Sequence, residues 1–145
     1  MASLFSCRNH DPSRVQTLHV DLTWHTNIET ARENAYWDTK PVLILFTSDW
    51  CGACKSLKAA TLTDQQVALV LQKFVLVELD IDHLTNGQAN RKLMEKISKK
   101  PGWIPSTIII TPWEKTLDEL IGTLGPVEFK KFLLSVLDKW ITDIP

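Results

Sequence analysis

A chain of 145 residues, 44% hydrophobic and 23% charged, has the size and mix of one soluble globular domain able to bury a single core. Its 16 basic and 17 acidic residues leave a net charge of −1 and no basic block, which argues against a nucleic-acid or polyanion surface. The longest apolar runs, such as Val42 to Phe46 and Thr107 to Ile110, are far too short to span a bilayer.

Residues 1–22 are polar and irregular, and are expected to form an extension to a domain covering 23–145. Within them His19-Val20-Asp21-Leu22 reads either as a short edge strand or as extended chain packed on the domain. Cys7 is the odd one of three cysteines. Leu4-Phe5-Ser6-Cys7 looks like the end of a bacterial lipoprotein signal, which would place a lipid anchor on Cys7, with Met1-Ala2-Ser3 standing where a hydrophobic segment was removed. The other reading is a free terminal thiol. As written, no apolar stretch of roughly 7–15 residues precedes Cys7, so no secretory signal is expected within these residues. The expected compartment is periplasmic or otherwise extracytoplasmic if a signal was removed, and cytoplasmic otherwise.

From Asn27 a helix is predicted, with Asn27 as N-cap, Glu29 in the first turn, and Ile28, Ala31, Ala35 and Tyr36 at helical spacing. Lys40-Pro41 ends it, because proline biases its predecessor away from helix. Val42 to Phe46 is a strand-length apolar run of the kind buried on both faces. After Cys51 a helix is predicted to about Ala60, and Thr63-Asp64-Gln65-Gln66 matches a capping box with Thr63 as cap. Phe74 to Asp80 reads as a second strand, Asn86-Gly87 as a turn, and Ala89, Leu93 and Ile97 as one side of a shorter helix.

Lys99-Lys100-Pro101-Gly102 closes that helix, and Ile104 to Thr111 reads as a third strand with Pro105 at its start, where a strand tolerates proline. A turn at Pro112-Trp113-Glu114-Lys115 leads to a fourth strand, Leu117 to Ile121, broken by Gly122 and Gly125. Pro126 suits the first position of a final helix, on which Phe129, Phe132, Leu133, Val136, Leu137 and Trp140 line one face. The order of elements implies an α/β fold, a central mixed sheet with helices on both faces.

The chemistry concentrates at Trp50-Cys51-Gly52-Ala53-Cys54-Lys55, where a buried strand hands over to a helix. The first turn of a helix has amide groups without intrahelical partners, which favours negative charge near Cys51. A thiolate is the form of cysteine that attacks disulfides, and Cys54, one turn on, is spaced to capture the mixed disulfide.

This motif after a buried strand, Ile104-Pro105-Ser106 before the next, Gly122, and the C-terminal amphipathic helix together resemble the thioredoxin superfamily, over about Trp24 to Trp140. Within it the chain looks most like the C-terminal thioredoxin-like domain of the bacterial membrane thiol:disulfide interchange proteins. That group shares Asp-Trp-Cys-x-Ala-Cys-Lys, then Asp-x-x-Val, then a strand ending in Asp, matched here by Asp49 to Lys55, Asp64 to Val67, and Asp80. The resemblance implies a thioredoxin fold and a protein-disulfide oxidoreductase, with Cys51 as nucleophile and Cys54 as resolving thiol. Pro105 would be a cis-proline facing the cysteines, turning the Ile104 backbone outward for a substrate strand. Trp50, Gly52 and Ala53 would shape the approach surface. A reductase direction is implied by Ile104 before the proline, as in the reducing members. No cofactor is implied beyond the redox-active pair, and the partners would be disulfide-containing proteins and an upstream thiol reductant, with the chain acting as a monomer.

Two departures stand out. Thioredoxin keeps a buried aspartate six residues before its first cysteine, and Leu45 stands there; the usual accompanying lysine corresponds to Glu78, which either substitutes for the acid or points to solvent. Ala53 replaces the proline between the cysteines, so redox poise does not transfer. Lys55 and Lys58 add positive charge that would favour a thiolate if close. Two rival functions compete: a metal site drawing on Cys7, His10, His19, His25 and His83, none in paired spacing, and a non-catalytic module docking clients near Pro105, with Trp103, Ile104 and Trp113 as an apolar rim.

Overall fold

The computed structural model describes residues 20–145. The Cys7 anchor, His10, His19 and nearly all of the 1–22 extension lie outside the described residues. The elements run β1 (Trp24–His25), α1 (Ile28–Asp38), β2 (Val42–Thr47), α2 (Gly52–Ser56), a π-helical turn (Leu57–Thr61), α3 (Gln65–Leu71), β3 (Val75–Asp80), α4 (Gly87–Ile97), β4 (Ser106–Ile110), β5 (Thr116–Ile121) and α5 (Pro126–Asp143).

Five strands form one mixed sheet in the order β1-β3-β2-β4-β5. β2 lies parallel to β3 and antiparallel to β4, and every one of its residues is buried. This is why its sequence is continuously apolar rather than alternating. Alternate side chains still go to opposite faces. Leu43 and Leu45 pack with Leu76, Ile109, Leu57, Val67, Leu71, Phe129, Leu133 and Val136 on one side. Val42, Ile44 and Phe46 pack with Val77, Leu79, Ile108, Ala31, Ala35 and Met94 on the other. The α/β reading, with helices on both faces of a mixed sheet, is the fold observed.

Several boundaries differ from the sequence expectation. The edge strand is Trp24–His25, paired with Leu76 and Val77; the described residues 20–22 form no strand, which fits the reading of that stretch as extended chain packed on the domain. Leu22 and Trp24 both pack on the α3/α5 side of the core, so the extended chain reaches the sheet two residues later, directly before the α1 cap. That cap is Asn27, whose side chain accepts the Thr30 N–H at 3.0 Å. Tyr36 is exposed: it sits one position round from the buried Ala31 and Ala35 and packs edge-on against Trp37.

The α3 cap is Asp64, not Thr63. The Asp64 carboxylate accepts both the Gln66 and Val67 N–H groups, at 2.9 and 3.0 Å, and brings negative charge to the helix start. The Thr63 hydroxyl instead donates back to Ala59 O at 2.6 Å. That end of the previous helix is wound wider than an α-helix, with Leu62 N–H donating to Leu57 O at 3.0 Å. Gly87 is helical rather than a turn residue. It is buried, and a Cβ there would lie 2.9 Å from Ile81 O, so only glycine lets α4 approach the end of β3 this closely. The third strand is shorter than predicted at both ends, running from Ser106 to Ile110.

α5 closes the structure through Phe129, Leu133, Val136 and Trp140, all buried, with Phe132 and Leu137 partly so. Phe129 is fully enclosed. Phe129→Ala is therefore expected to cost about 3–5 kcal/mol of stability. Urea unfolding checks this: the midpoint should fall with the slope unchanged.

Candidate active site

The site begins where β2 ends. Cys51 N–H donates to Ser48 O at 3.1 Å, turning the chain out of the sheet, and Cys51 then caps α2 in extended conformation. Its sulfur accepts the Cys54 N–H at 3.1 Å. Cys51 and Cys54 are joined in a disulfide with their Cα atoms 5.2 Å apart. Of the two, Cys51 is the less enclosed, at 5% exposure against 1% for Cys54. Gly52 and Ala53 lie between them on the exposed side of the first turn.

The Ile104–Pro105 peptide bond is cis. The β2–β4 register, Phe46 opposite Ser106, brings Pro105 level with Thr47, at the sheet end from which the Cys51 turn departs. Gly122, at φ +91°, donates its N–H to Pro105 O at 2.8 Å, so the β5 end is tied to the same point. Ile104 is half-buried against the α1/α4 side of the core, and Trp103 beside it is exposed, with the Lys100 ammonium 5.7 Å from its ring centre. Trp113 does not join this rim. It lies past the other end of β4, its ring centre 5.7 Å from that of Trp140.

Trp50 is neither a core residue nor packed deeply: 72% of it is exposed. Its indole N–H donates to Asp82 Oδ2 at 2.6 Å, and the Ser48 hydroxyl donates to the same oxygen at 2.8 Å. Arg91 of α4 pairs with Oδ1. Asp82 and Arg91 were not among the residues expected at the site. Asp82 lies 32 positions from Trp50, and no local spacing rule links residues so far apart.

Leu45, six residues before Cys51, is buried, and its in-register neighbour across β2–β3 is Glu78, on the same sheet face. Glu78 neither fills the core nor faces bulk solvent. It is half-buried, accepts the Thr47 hydroxyl at 2.9 Å and pairs with Lys58 from the π-helical turn. The Lys58 charge is thus directed to Glu78. His83 is exposed, its Nδ1 accepting the Thr85 and Asn86 N–H groups at 3.2 Å each, and His25 lies 3.4 Å from the Asn34 amide. Among the described residues, no group of three His, Cys, Asp or Glu side chains is gathered to hold a metal ion, and no helix is long and apolar enough to cross a membrane.

A family model described as thioredoxin-like matches residues 23–112. The chain belongs to the thioredoxin-like family. The thiol:disulfide interchange protein DsbD of Campylobacter jejuni (strain RM1221) is 31% identical to it over 94 residues, 61% of this chain and 17% of that protein. The chain thus spans a small part of the length of the curated relatives it matches. Among solved structures, a thioredoxin from Thermus thermophilus superposes with a TM-score of 0.69 at 24% identity, covering 82% of this chain and 89% of that one. The oxidised C-terminal domain of DsbD from Neisseria meningitidis gives a TM-score of 0.62 at 19% identity, covering 78% and 98%. These structural likenesses establish the thioredoxin fold of this thioredoxin-like chain.

Asp82 titrates below its ordinary value of 3.8: the Trp50 and Ser48 hydrogen bonds, and then Arg91, hold the charged form against partial desolvation. A pKa lowered on folding contributes stability that is fully present above 3.8 and is lost as pH falls through the lower folded value. Acid titration of the fluorescence difference between wild type and Trp50→Phe is therefore expected to show a step below pH 3.8. Asp82→Asn should remove that step.

Proposed function

We propose that this thioredoxin-like chain is a thiol–disulfide oxidoreductase that reduces protein disulfides through Cys51 and Cys54. The observation that carries the proposal is the bonded cysteine pair at the head of α2, on the sheet end to which the β2–β4 register brings Pro105. Family membership and similarity to proteins named for thiol:disulfide interchange support the same reading.

In the reduced form, Cys51 as thiolate attacks one sulfur of a substrate disulfide. A Cys51–substrate disulfide forms, and the other substrate sulfur leaves as a thiolate and takes a proton. Cys54 then loses its proton and attacks Cys51 Sγ, releasing the second substrate thiol and forming Cys51–Cys54. Two electrons and two protons have passed to the substrate, and a thiol reductant restores the pair. The greater enclosure of Cys54 suits this order, because an incoming disulfide meets Cys51 first. A modestly lowered Cys51 pKa serves exchange better than an extreme one, since nucleophilicity falls with pKa.

The reductase direction rests on Ile104 ahead of Pro105. Trp50, Trp103 and Ile104 offer the docking face, with Gly52 and Ala53 leaving the first turn open to a partner chain. Clients that carry disulfides point to an extracytoplasmic setting. Glu78 takes the role of proton acceptor for Cys54 that Leu45 cannot fill, tempered by its pairing with Lys58.

Turbidity from insulin reduction by dithiothreitol tests the proposal. Wild type should accelerate it, Cys51→Ser should return it to the rate of dithiothreitol alone, and Cys54→Ser should accumulate the mixed disulfide. A Cys51→Ser variant as fast as wild type would instead make the chain a docking module, the reading that the exposed Trp50 and Trp103 would equally serve. Glu78→Gln is expected to slow turnover about tenfold, less than the ~10²–10⁴ typical of a directly positioned base, because its carboxylate is already engaged. Stopped-flow resolution of the mixed disulfide measures it.

A further inference from the structure

The last residue of β3 and the two after it are each fastened to α4. The Asn90 amide donates to Asp80 O at 2.8 Å, Arg91 Nε donates to Ile81 O at 2.8 Å, and the Arg91 guanidinium pairs with Asp82. Asp82 N–H in turn donates to Asp80 Oδ1 at 2.7 Å, and Gly87 lets the helix backbone come against Ile81 O. What this fastening holds is one carboxylate. Asp82 Oδ1 takes Arg91, while Oδ2 takes both Ser48 and Trp50, two residues of the turn that leads into Cys51.

Trp50 is a large ring with most of its surface in solvent, so packing does little to choose its rotamer. Its indole N–H bond to Asp82 is the directional constraint on it. A carboxylate holds such a donor well only if it is itself held. Arg91 does this through two separate guanidinium donors, Nε to the Ile81 backbone carbonyl and a terminal N–H to the Asp82 carboxylate, which a lysine cannot reproduce. The guanidinium is about half exposed, so the pair itself adds little to global stability. Its effect lies in pre-organising a surface residue beside the reactive sulfur.

We propose that Arg91 is a positioning residue for partner docking: through Asp82 it fixes the Trp50 ring beside Cys51, and so sets affinity for protein disulfides without touching the thiol chemistry. This inference rests on the reductase reading of the Cys51–Cys54 site, and its test separates the two.

The side-chain N–H resonance of Trp50, assigned by its loss in Trp50→Phe, should shift in Arg91→Met and exchange faster with solvent. In insulin reduction, Arg91→Met should raise KM about two- to tenfold, the size of the cost of ordering one side chain on binding. Its kcat, and its rate with a small dye-linked disulfide too short to reach Trp50, should match wild type. Arg91→Lys should fall between, and stands in if Arg91→Met fails to fold. In a Trp50→Phe background the Arg91 substitution should have no further effect on KM. An unmoved Trp50 resonance, equal losses on both substrates, or the same KM change with and without Trp50 would each overturn the proposal. A wild type that reduces neither substrate would sink the reductase reading instead, while the resonance still decides whether Arg91 positions Trp50.

Discussion

Everything at the site is placed by the pairing of β2 on both of its edges. β2 runs parallel to β3 and antiparallel to β4, so three chain segments distant in sequence reach the same end of the sheet. The chain leaves β2 there towards Cys51, leaves β3 there towards Asp82, and enters β4 there from Pro105. The register is held because both faces of β2 are buried. A slip of one residue would exchange Leu43 and Leu45 with Ile44 and Phe46 across the sheet, sending each into a core shaped for the other. The carboxyl ends of parallel strands are a common place for sites in α/β folds, and the two parallel strands here deliver Cys51 and Asp82 in that way.

The same register explains how the charge next to position 45 is arranged. An acid at position 45 would lie on a fully covered strand, where ionisation carries a heavy desolvation penalty. Leucine there joins the core with Leu57 and Leu43. The carboxylate sits one strand over, on Glu78, where it keeps partial contact with water, a hydroxyl from Thr47 and the ammonium of Lys58. In such a setting the effective dielectric is high, and the field of the carboxylate is correspondingly weaker than that of a fully enclosed charge.

What could be read from the sequence was whatever depends on neighbours in the chain. The apolar run of β2, the Asn27 cap, the face of α5 and the Cys51–Cys54 spacing are all local signals, and each appears as expected. Where two adjacent residues can each cap a helix, the sequence alone does not rank them. Thr63 and Asp64 both fit a cap, and the carboxylate won because it satisfies two amides at once. Trp113, expected in the apolar rim around Pro105, is separated from it by a five-residue strand that carries the chain to the far end of the sheet. The Trp50–Asp82–Arg91 set was illegible for the opposite reason. Its members come from a turn, a strand end and a helix, and only the tertiary pairing brings them together.

The two ends of the sheet hold their tryptophans by different means, and the difference has consequences. At the far end Trp113 lies against the buried Trp140, so ring contact itself sets its orientation, at the expense of exposed face. At the cysteine end the rings keep about two thirds or more of their surface free: Trp50 is held by a hydrogen bond to a carboxylate, and Trp103 has a lysine ammonium over its ring. A ring held by its edge stays ordered while its face remains available. An aromatic face that is both ordered and open is what a partner chain can bury at low entropic cost. Packing would have ordered Trp50 equally well, but it would have covered the ring face that Trp50 leaves exposed next to Cys51.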